Sequence, residues 1–208
     1  MLIHLRDYAN GITAIGYVFA TTGLFLALNG HLELGTASML WMWFLDHWDG
    51  HVARKTHDRR RPGAAEFGKC FDGFGDFIHG VLFPATVITL VGQGSALSLA
   101  SVIFLVLAGA IRLSYFETAG LTNDGKFRGI PISYDTPILA LMLVASSYVP
   151  EEIFRTALSV MFILLAALHI TTAIQVPAIR GKAVPVFTAL AMLLSGVLAF
   201  PTMFRAGF

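Results

Sequence analysis

The chain has 208 residues, 56% of them hydrophobic and only 13% charged, with a mean hydropathy of +0.71. Soluble domains carry about 25% charged residues, so an ordinary water-soluble domain is excluded and a membrane protein is indicated. The net charge of +1 says little, no nucleic-acid partner is expected, and the single cysteine, Cys70, excludes an intrachain disulfide or a cysteine-based cluster.

A bilayer core of about 30 Å takes about 20 apolar residues per helix, so this length accommodates six or seven spans and little else. The opening "LIHLRDYA", within residues 1–10, reads as a short interfacial helix. The first residues lack a basic region followed by a small-residue cleavage site, so no cleaved leader is expected. Apolar segments then follow at roughly 11–29, 34–55, 67–92, 95–117, 132–149, 152–175 and 183–203. They are punctuated by "LNGHLELG", "VGQGSA", "GLTNDGKFRGIP", "VPEE" and "RGKAVP". The expected fold is all-α: a polytopic membrane helical bundle, one domain over residues 1–208.

Lysine and arginine set the orientation. Arg6 precedes the first span, and Arg54, Lys55, Arg59, Arg60, Arg61 and Lys69 crowd the connection between the second and third. Lys126 and Arg128 lie between the fourth and fifth, and Arg180 and Lys182 between the sixth and seventh. The alternate connections hold none; only Arg155 and Arg205 lie near the other side. The positive-inside rule therefore predicts a cytosolic N-terminus and cytosolic basic loops. The composition fits a bacterial inner membrane, with a eukaryotic membrane as the alternative.

The stretch 44–80, "FLDHWDGHVARKTHDRRRPGAAEFGKCFDGFGDFIHG", carries the chemistry. Asp46 and Asp49 are three apart and share a helix face; Asp72 and Asp76 are four apart and share another. An antiparallel helix pair would bring the four carboxylates together. In a low-dielectric site they would repel one another unless cations lay between them. Carboxylate sites select hard ions such as Mg²⁺, Mn²⁺ or Ca²⁺, and paired metals about 3.5–4 Å apart serve phosphoryl chemistry. Gly50, Gly68, Gly73 and Gly75 leave room for a ligand near the carboxylates. The plainer alternative is helix-end aspartates paired with Arg54, Lys55 and Lys69.

"DHWDGHVAR…GKCFDGFGD" resembles the signature of the CDP-alcohol phosphatidyltransferases, D-x-x-D-G-x-x-A-R, a spacer, then G-x-x-x-D-x-x-x-D. Asp46, Asp49, Gly50, Ala53, Arg54, Gly68, Asp72 and Asp76 fill every fixed position. The resemblance implies a homodimer of bundles with six core transmembrane helices, to which a seventh is added here. It implies two divalent cations, Mg²⁺ or Mn²⁺, held by Asp46, Asp49, Asp72 and Asp76. It implies a CDP pocket formed by Asp49, Gly50, Ala53, Arg54, Gly68 and Asp72, and a general base at Asp76. The implied reaction moves the phosphatidyl group of CDP-diacylglycerol to a small polar alcohol and releases CMP at the cytosolic face. One departure is the thirteen-residue spacer "KTHDRRRPGAAEF", longer than is common in the family. It reads as an inert cytosolic loop, the alternative being contact with anionic headgroups at about 1 kcal/mol per basic residue.

"EFGKCFDGFGD", "AGAIRLSYFE" with "FRGIPI", and Pro84 are similar to the serine-using branch of that family. On that resemblance Arg112, and with it Arg128, would hold the serine carboxylate, because a guanidinium fork matches a carboxylate. Tyr115, Glu117 and His79 depart from the branch pattern and are further acceptor-site candidates. Glu117 and Asp135 would suit an ammonium group, which keeps choline and ethanolamine open. Inositol phosphate or glycerol phosphate would call for a denser basic pocket.

His47 and His51 are four apart, a spacing known from zinc sites, but next to four carboxylates they read as headgroup-region residues. Trp41, Trp43 and Trp48 fit packing or an interfacial belt. His169 and Gln175 read as polar groups paired between helices. An ion-coupled transporter is the alternative from another class, since intramembrane carboxylates also relay ions. Its usual marks, midplane placement and repeated halves, are missing from this sequence.

Overall fold

The computed structural model describes residues 1–178, 181 and 183–205, with side chains through residue 200. Arg180 and Lys182 lie outside the described residues, as does the side chain of Arg205. The architecture is an all-α helical bundle. A single 3-10 turn, Leu2–Arg6, precedes α1 (Tyr8–Leu28), where an interfacial helix was expected. Then follow α2 (Leu32–Lys55), α3 (Ala64–Phe77), α4 (Phe83–Gly92), α5 (Ala96–Ala119), α6 (Asp135–Ser146), α7 (Glu151–Ile170) and α8 (Ala183–Arg205). With α3 and α4 joined through a π turn, five of the rods are long and apolar enough to cross a membrane. The sixth rod, α2, is 24 residues long but carries the signature charges, and the seventh, α6, has only 12 residues.

Helix starts follow capping chemistry. The Asp7 carboxylate accepts from the Ala9 and Asn10 amides at the start of α1, and Ser95 accepts from the Ser98 amide at the start of α5. On α1 the buried residues Ala9, Thr13, Gly16, Ala20, Gly23 and Ala27 alternate at spacings of four and three. This stripe of small residues lets α2 approach closely: a Cβ on Gly23 would lie 2.8 Å from the Gly35 carbonyl oxygen. α2 runs through the middle, against α1, α3, α6 and α8, and buries Met39, Leu40, Met42 and Trp43. The outward side of α5 shows Leu99, Ile103 and Leu107, an exposed apolar stripe suited to acyl chains.

α3 and α4 form one rod interrupted at Ile78–Leu82 by a π turn. Its cause is local. Pro84 has no amide hydrogen and its ring would crowd the preceding turn of an ideal helix. The rod widens, and the Phe83 amide bonds to the Ile78 carbonyl rather than to that of His79. The next amide along is missing, because residue 84 is proline. The His79 carbonyl therefore has no backbone donor, and Thr136 Oγ1 of α6 donates to it at 2.7 Å. Gly80 makes this contact between elements possible: a Cβ there would lie 2.6 Å from the Ile132 carbonyl oxygen.

Two connections depart from the sequence-based expectation. The sixth span was expected to run to residue 175, yet α7 ends at Ile170. The backbone beyond it is taken by the 129–130 segment: the Ile130 amide donates to the Leu168 carbonyl and the Gly129 amide to the Ile174 carbonyl. Gln175 is thus an exposed residue of a short strand, β2 (Gln175–Pro177), and not a polar group paired between helices. β2 pairs antiparallel with β1 (Lys126–Arg128), with Phe127 opposite Val176. The long basic spacer is likewise not inert. Arg60 binds Asp7 with two hydrogen bonds of 3.1 Å and donates to Asn10 Oδ1 at 2.9 Å, while His4 stacks on Phe67. The spacer ties the start of α3 to the start of α1.

Candidate active site

α2 and α3 bring the signature to one end of a cavity of about 250 Å³. Asp46, His47, Gly50 and Arg54 line it from α2, and Asp72 and Asp76 from α3. Arg112, Leu113 and Phe116 of α5 close one side. Phe127 and Pro177 of the two-stranded ribbon, with Leu121, Ala178 and the Pro131–Tyr134 segment before α6, form the rest of the wall. The volume suits a small polar molecule.

The four aspartates do converge. Asp46, Asp49, Asp72 and Asp76 lie close enough to act on one another through their charges. Asp49 is buried and receives a 2.5 Å hydrogen bond from Thr13 Oγ1. Asp46 Oδ1 and Asp72 Oδ1 are buried with no hydrogen-bond donor. Ligand atoms of Asp46, Asp76 and His79 all lie within 4.8 Å of one another. Crowded carboxylates with orphaned oxygens lack only positive charge, so these residues fit divalent cations.

α1 supplies a supporting layer that the reading of the sequence missed. Asn10, Thr13 and Tyr17 form a polar stripe at helical spacing, and that spacing was the available signal. Asn10 Nδ2 donates to the Ala64 carbonyl at 3.0 Å, Thr13 holds Asp49, and Tyr17 donates to the Phe71 carbonyl at 2.7 Å. All three bonds fix the signature helices by way of α1.

The remaining candidates separate by place. Gly50, Arg54 and Asp72 line the cavity, whereas Asp49, Ala53 and Gly68 are not among its lining residues. Gly68 is buried against Asn10. Arg112 is in the wall, only 5% exposed, with its guanidinium 5.5 Å from the Phe127 ring centroid and its Nε donating to the Ile130 carbonyl. Tyr115, Glu117 and Arg128 are not brought to the wall. Arg128 donates to the Tyr115 hydroxyl, and Glu117 pairs with Lys69 at 2.9 Å. These side chains sit at the rim, where water satisfies them and nearby partners take their charges. Asp135 faces away too, sealed against His169 at 3.0 Å with both side chains fully buried. His79 is completely buried behind Asp76, with Nε2 3.2 Å from Asp76 Oδ1 and Nδ1 3.1 Å from Thr136 Oγ1. His47 lines the cavity, its Nδ1–H donating to the Trp43 carbonyl.

No curated relative matches the chain. The family model described as CDP-alcohol phosphatidyltransferase matches residues 6–206, nearly the whole length. A helical membrane bundle, converging signature carboxylates and this match lead to one conclusion: the chain belongs to the CDP-alcohol phosphatidyltransferases, enzymes of the phosphotransferase class.

Proposed function

We propose that the protein transfers the phosphatidyl group of CDP-diacylglycerol to the hydroxyl of L-serine and releases CMP. The observation that carries the serine assignment is Arg112, a buried guanidinium in the cavity wall beside the carboxylates. The role assigned to it is pairing with the acceptor carboxylate, which a guanidinium fork suits, and the neighbouring Phe127 ring supports this by packing against it. Arg54, Gly50 and the polar end of α2 suit the nucleotide, and the acyl chains would stay in the bilayer.

The chemistry assigned to the residues is as follows. Asp76 takes the proton from the acceptor hydroxyl. The hydroxyl oxygen then forms a bond to the phosphorus that carries the diacylglycerol. The bond from that phosphorus to the CMP oxygen breaks, and CMP leaves with the electron pair. Two divalent cations, Mg²⁺ or Mn²⁺, held by Asp46, Asp49, Asp72 and Asp76, would supply charge neutralisation for the diphosphate and the departing CMP. The basic loops support a site facing the cytosol, and we assign the protein to a bacterial inner membrane as a homodimer.

A second reading takes an amino alcohol without a carboxylate, ethanolamine or choline. The aromatic side chains Phe116, Phe127 and Tyr134 favour it, since ring faces attract ammonium groups. One assay decides between the two. Purified protein in nanodiscs receives CDP-diacylglycerol, Mn²⁺ or Mg²⁺, and one alcohol at a time, and CMP release is followed. CMP with serine alone is the expected result. Release only with choline or ethanolamine removes the serine assignment, and the absence of CMP release with every alcohol tested removes the whole reading. Arg112→Ala should raise the serine KM by about 30-fold, the equivalent of about 2 kcal/mol for a charged hydrogen-bonded pair.

A further inference from the structure

We propose that His79 is a nitrogen ligand of the metal site, with its tautomer set by Thr136, and that it biases the site toward Mn²⁺ over Mg²⁺. This rests on the metal-dependent reading above. The argument begins with a single proton. Thr136 Oγ1 has one hydrogen and gives it to the His79 carbonyl, which can only accept. That carbonyl needs it because the π turn and Pro84 leave it without a backbone donor. Thr136 Oγ1 must then accept at its 3.1 Å contact with His79 Nδ1, so Nδ1 carries the imidazole hydrogen. Nε2 is left with a bare lone pair.

That lone pair points at another acceptor. His79 Nε2 lies 3.2 Å from Asp76 Oδ1, and both lie within 4.8 Å of a ligand atom of Asp46. His79 has no access to water, so the contact needs either a cation or a shared proton between the two acceptors. An Nδ1–H fixed by a hydroxyl, with Nε2 turned to the ion, is how metal-binding imidazoles are commonly oriented. The rival is a proton held between His79 and Asp76. The sealed pair His169–Asp135 shows the setting where a proton suffices, because both side chains are fully buried and outside the cavity wall. Asp76 instead opens to the cavity beside Asp46 and Asp72. An imidazole among carboxylates raises affinity for first-row transition ions relative to Mg²⁺.

The test reads the metal directly. Protein labelled with ¹⁵N-histidine is loaded with Mn²⁺ in nanodiscs and examined by pulsed EPR, beside an unlabelled sample. The expected result is a histidine nitrogen coupling that changes with the isotope, persists in His47→Ala and disappears in His79→Ala. Mn²⁺ affinity by calorimetry should fall at least tenfold in His79→Ala, with Mg²⁺ affinity changed less than about threefold. Thr136→Val, which keeps the side-chain shape, should retain the coupling and weaken Mn²⁺ by about tenfold. Mn²⁺ binding without nitrogen coupling, or coupling retained in His79→Ala, overturns the ligand assignment and leaves the metal-dependent reading intact. Unchanged Mn²⁺ affinity in Thr136→Val overturns the role of the hydroxyl, even if His79→Ala does not fold. Failure of the wild-type protein to bind Mn²⁺ overturns both.

Discussion

Gly80→Ala tests whether the site depends on the close seating of the π turn. The added Cβ would lie 2.6 Å from the Ile132 oxygen, 3.0 Å from its carbonyl carbon and 3.3 Å from its Cβ, while ordinary contact begins near 3.4 Å. The nearest two neighbours are backbone atoms and cannot rotate away. The π turn and the 132 segment must therefore separate by roughly 0.8 Å. Alanine's helix preference favours the substitution by about 1 kcal/mol. Overpacking opposes it by about 1–3 kcal/mol, so the net destabilisation is about 0–2 kcal/mol. The effect on chemistry should be larger, because His79 and Asp76 are carried on the rod that moves, and a misplacement of about 1 Å can cost about 10²-fold. The assay is kcat for CMP release, read with the thermal midpoint. A fall of about 10² in kcat with a drop of only a few degrees is expected. Gly196→Ala, where an added Cβ meets nothing within 4 Å, should match the wild type in both. A Gly80→Ala protein within twofold of wild-type kcat would refute the reasoning.

Asp76→Asn should remove turnover while leaving the melting curve unchanged; retained CMP release contradicts Asp76 as base. Treatment with EDTA should abolish activity and added Mn²⁺ or Mg²⁺ restore it, and activity that survives chelation contradicts the metal-dependent reading. Arg60→Ala should lower stability by about 2 kcal/mol, because the Asp7 carboxylate loses its charged partner and keeps only the Ala9 and Asn10 amides. Adding Asp7→Asn should recover part of that loss in a denaturation double-mutant cycle, and strict additivity would show the pair to be uncoupled. At the sealed pair, Asp135→Asn can donate to the free His169 Nε2 and should cost no more than about 1 kcal/mol. Asp135→Ala leaves that nitrogen unpaired and should cost about 3 kcal/mol; equal losses from the two substitutions contradict this account.

The apolar runs and the spacing of Asp46, Asp49, Asp72 and Asp76 made the bundle and the carboxylate cluster legible, because both follow from helical periodicity and the cost of buried charge. Local chemistry of a different kind was missed. Pro84 was noted, yet its consequence for the His79 carbonyl depends on a hydroxyl that is distant in the chain, Thr136. Arg128 was a candidate through the resemblance and Glu117 through its charge, but nearby Tyr115 and Lys69 take them up at the rim. The spacer around Arg60 read as solvated loop because its partner Asp7 is also the cap of the first helix, and a cap gives no sign of a second role. The end of α7 at Ile170 was hidden because residues 171–175 are apolar enough to continue a span, and only pairing with the 129–130 segment ends it.

The two-stranded ribbon separates the site into parts with different freedom to vary. The carboxylates sit on helices braced by α1, where a one-residue insertion would rotate them off their shared faces. Phe127 and Pro177 sit on two interhelical connections that meet edge to edge through only three residue pairs. Residues there can be exchanged, or a residue added in the adjoining turns, without disturbing the helical register. The ribbon side of the cavity wall can therefore vary in sequence while the helices that carry the carboxylates keep their register. The same division makes residues 126–128 and 175–177 the place where the cavity wall can be rebuilt by design without touching the signature helices.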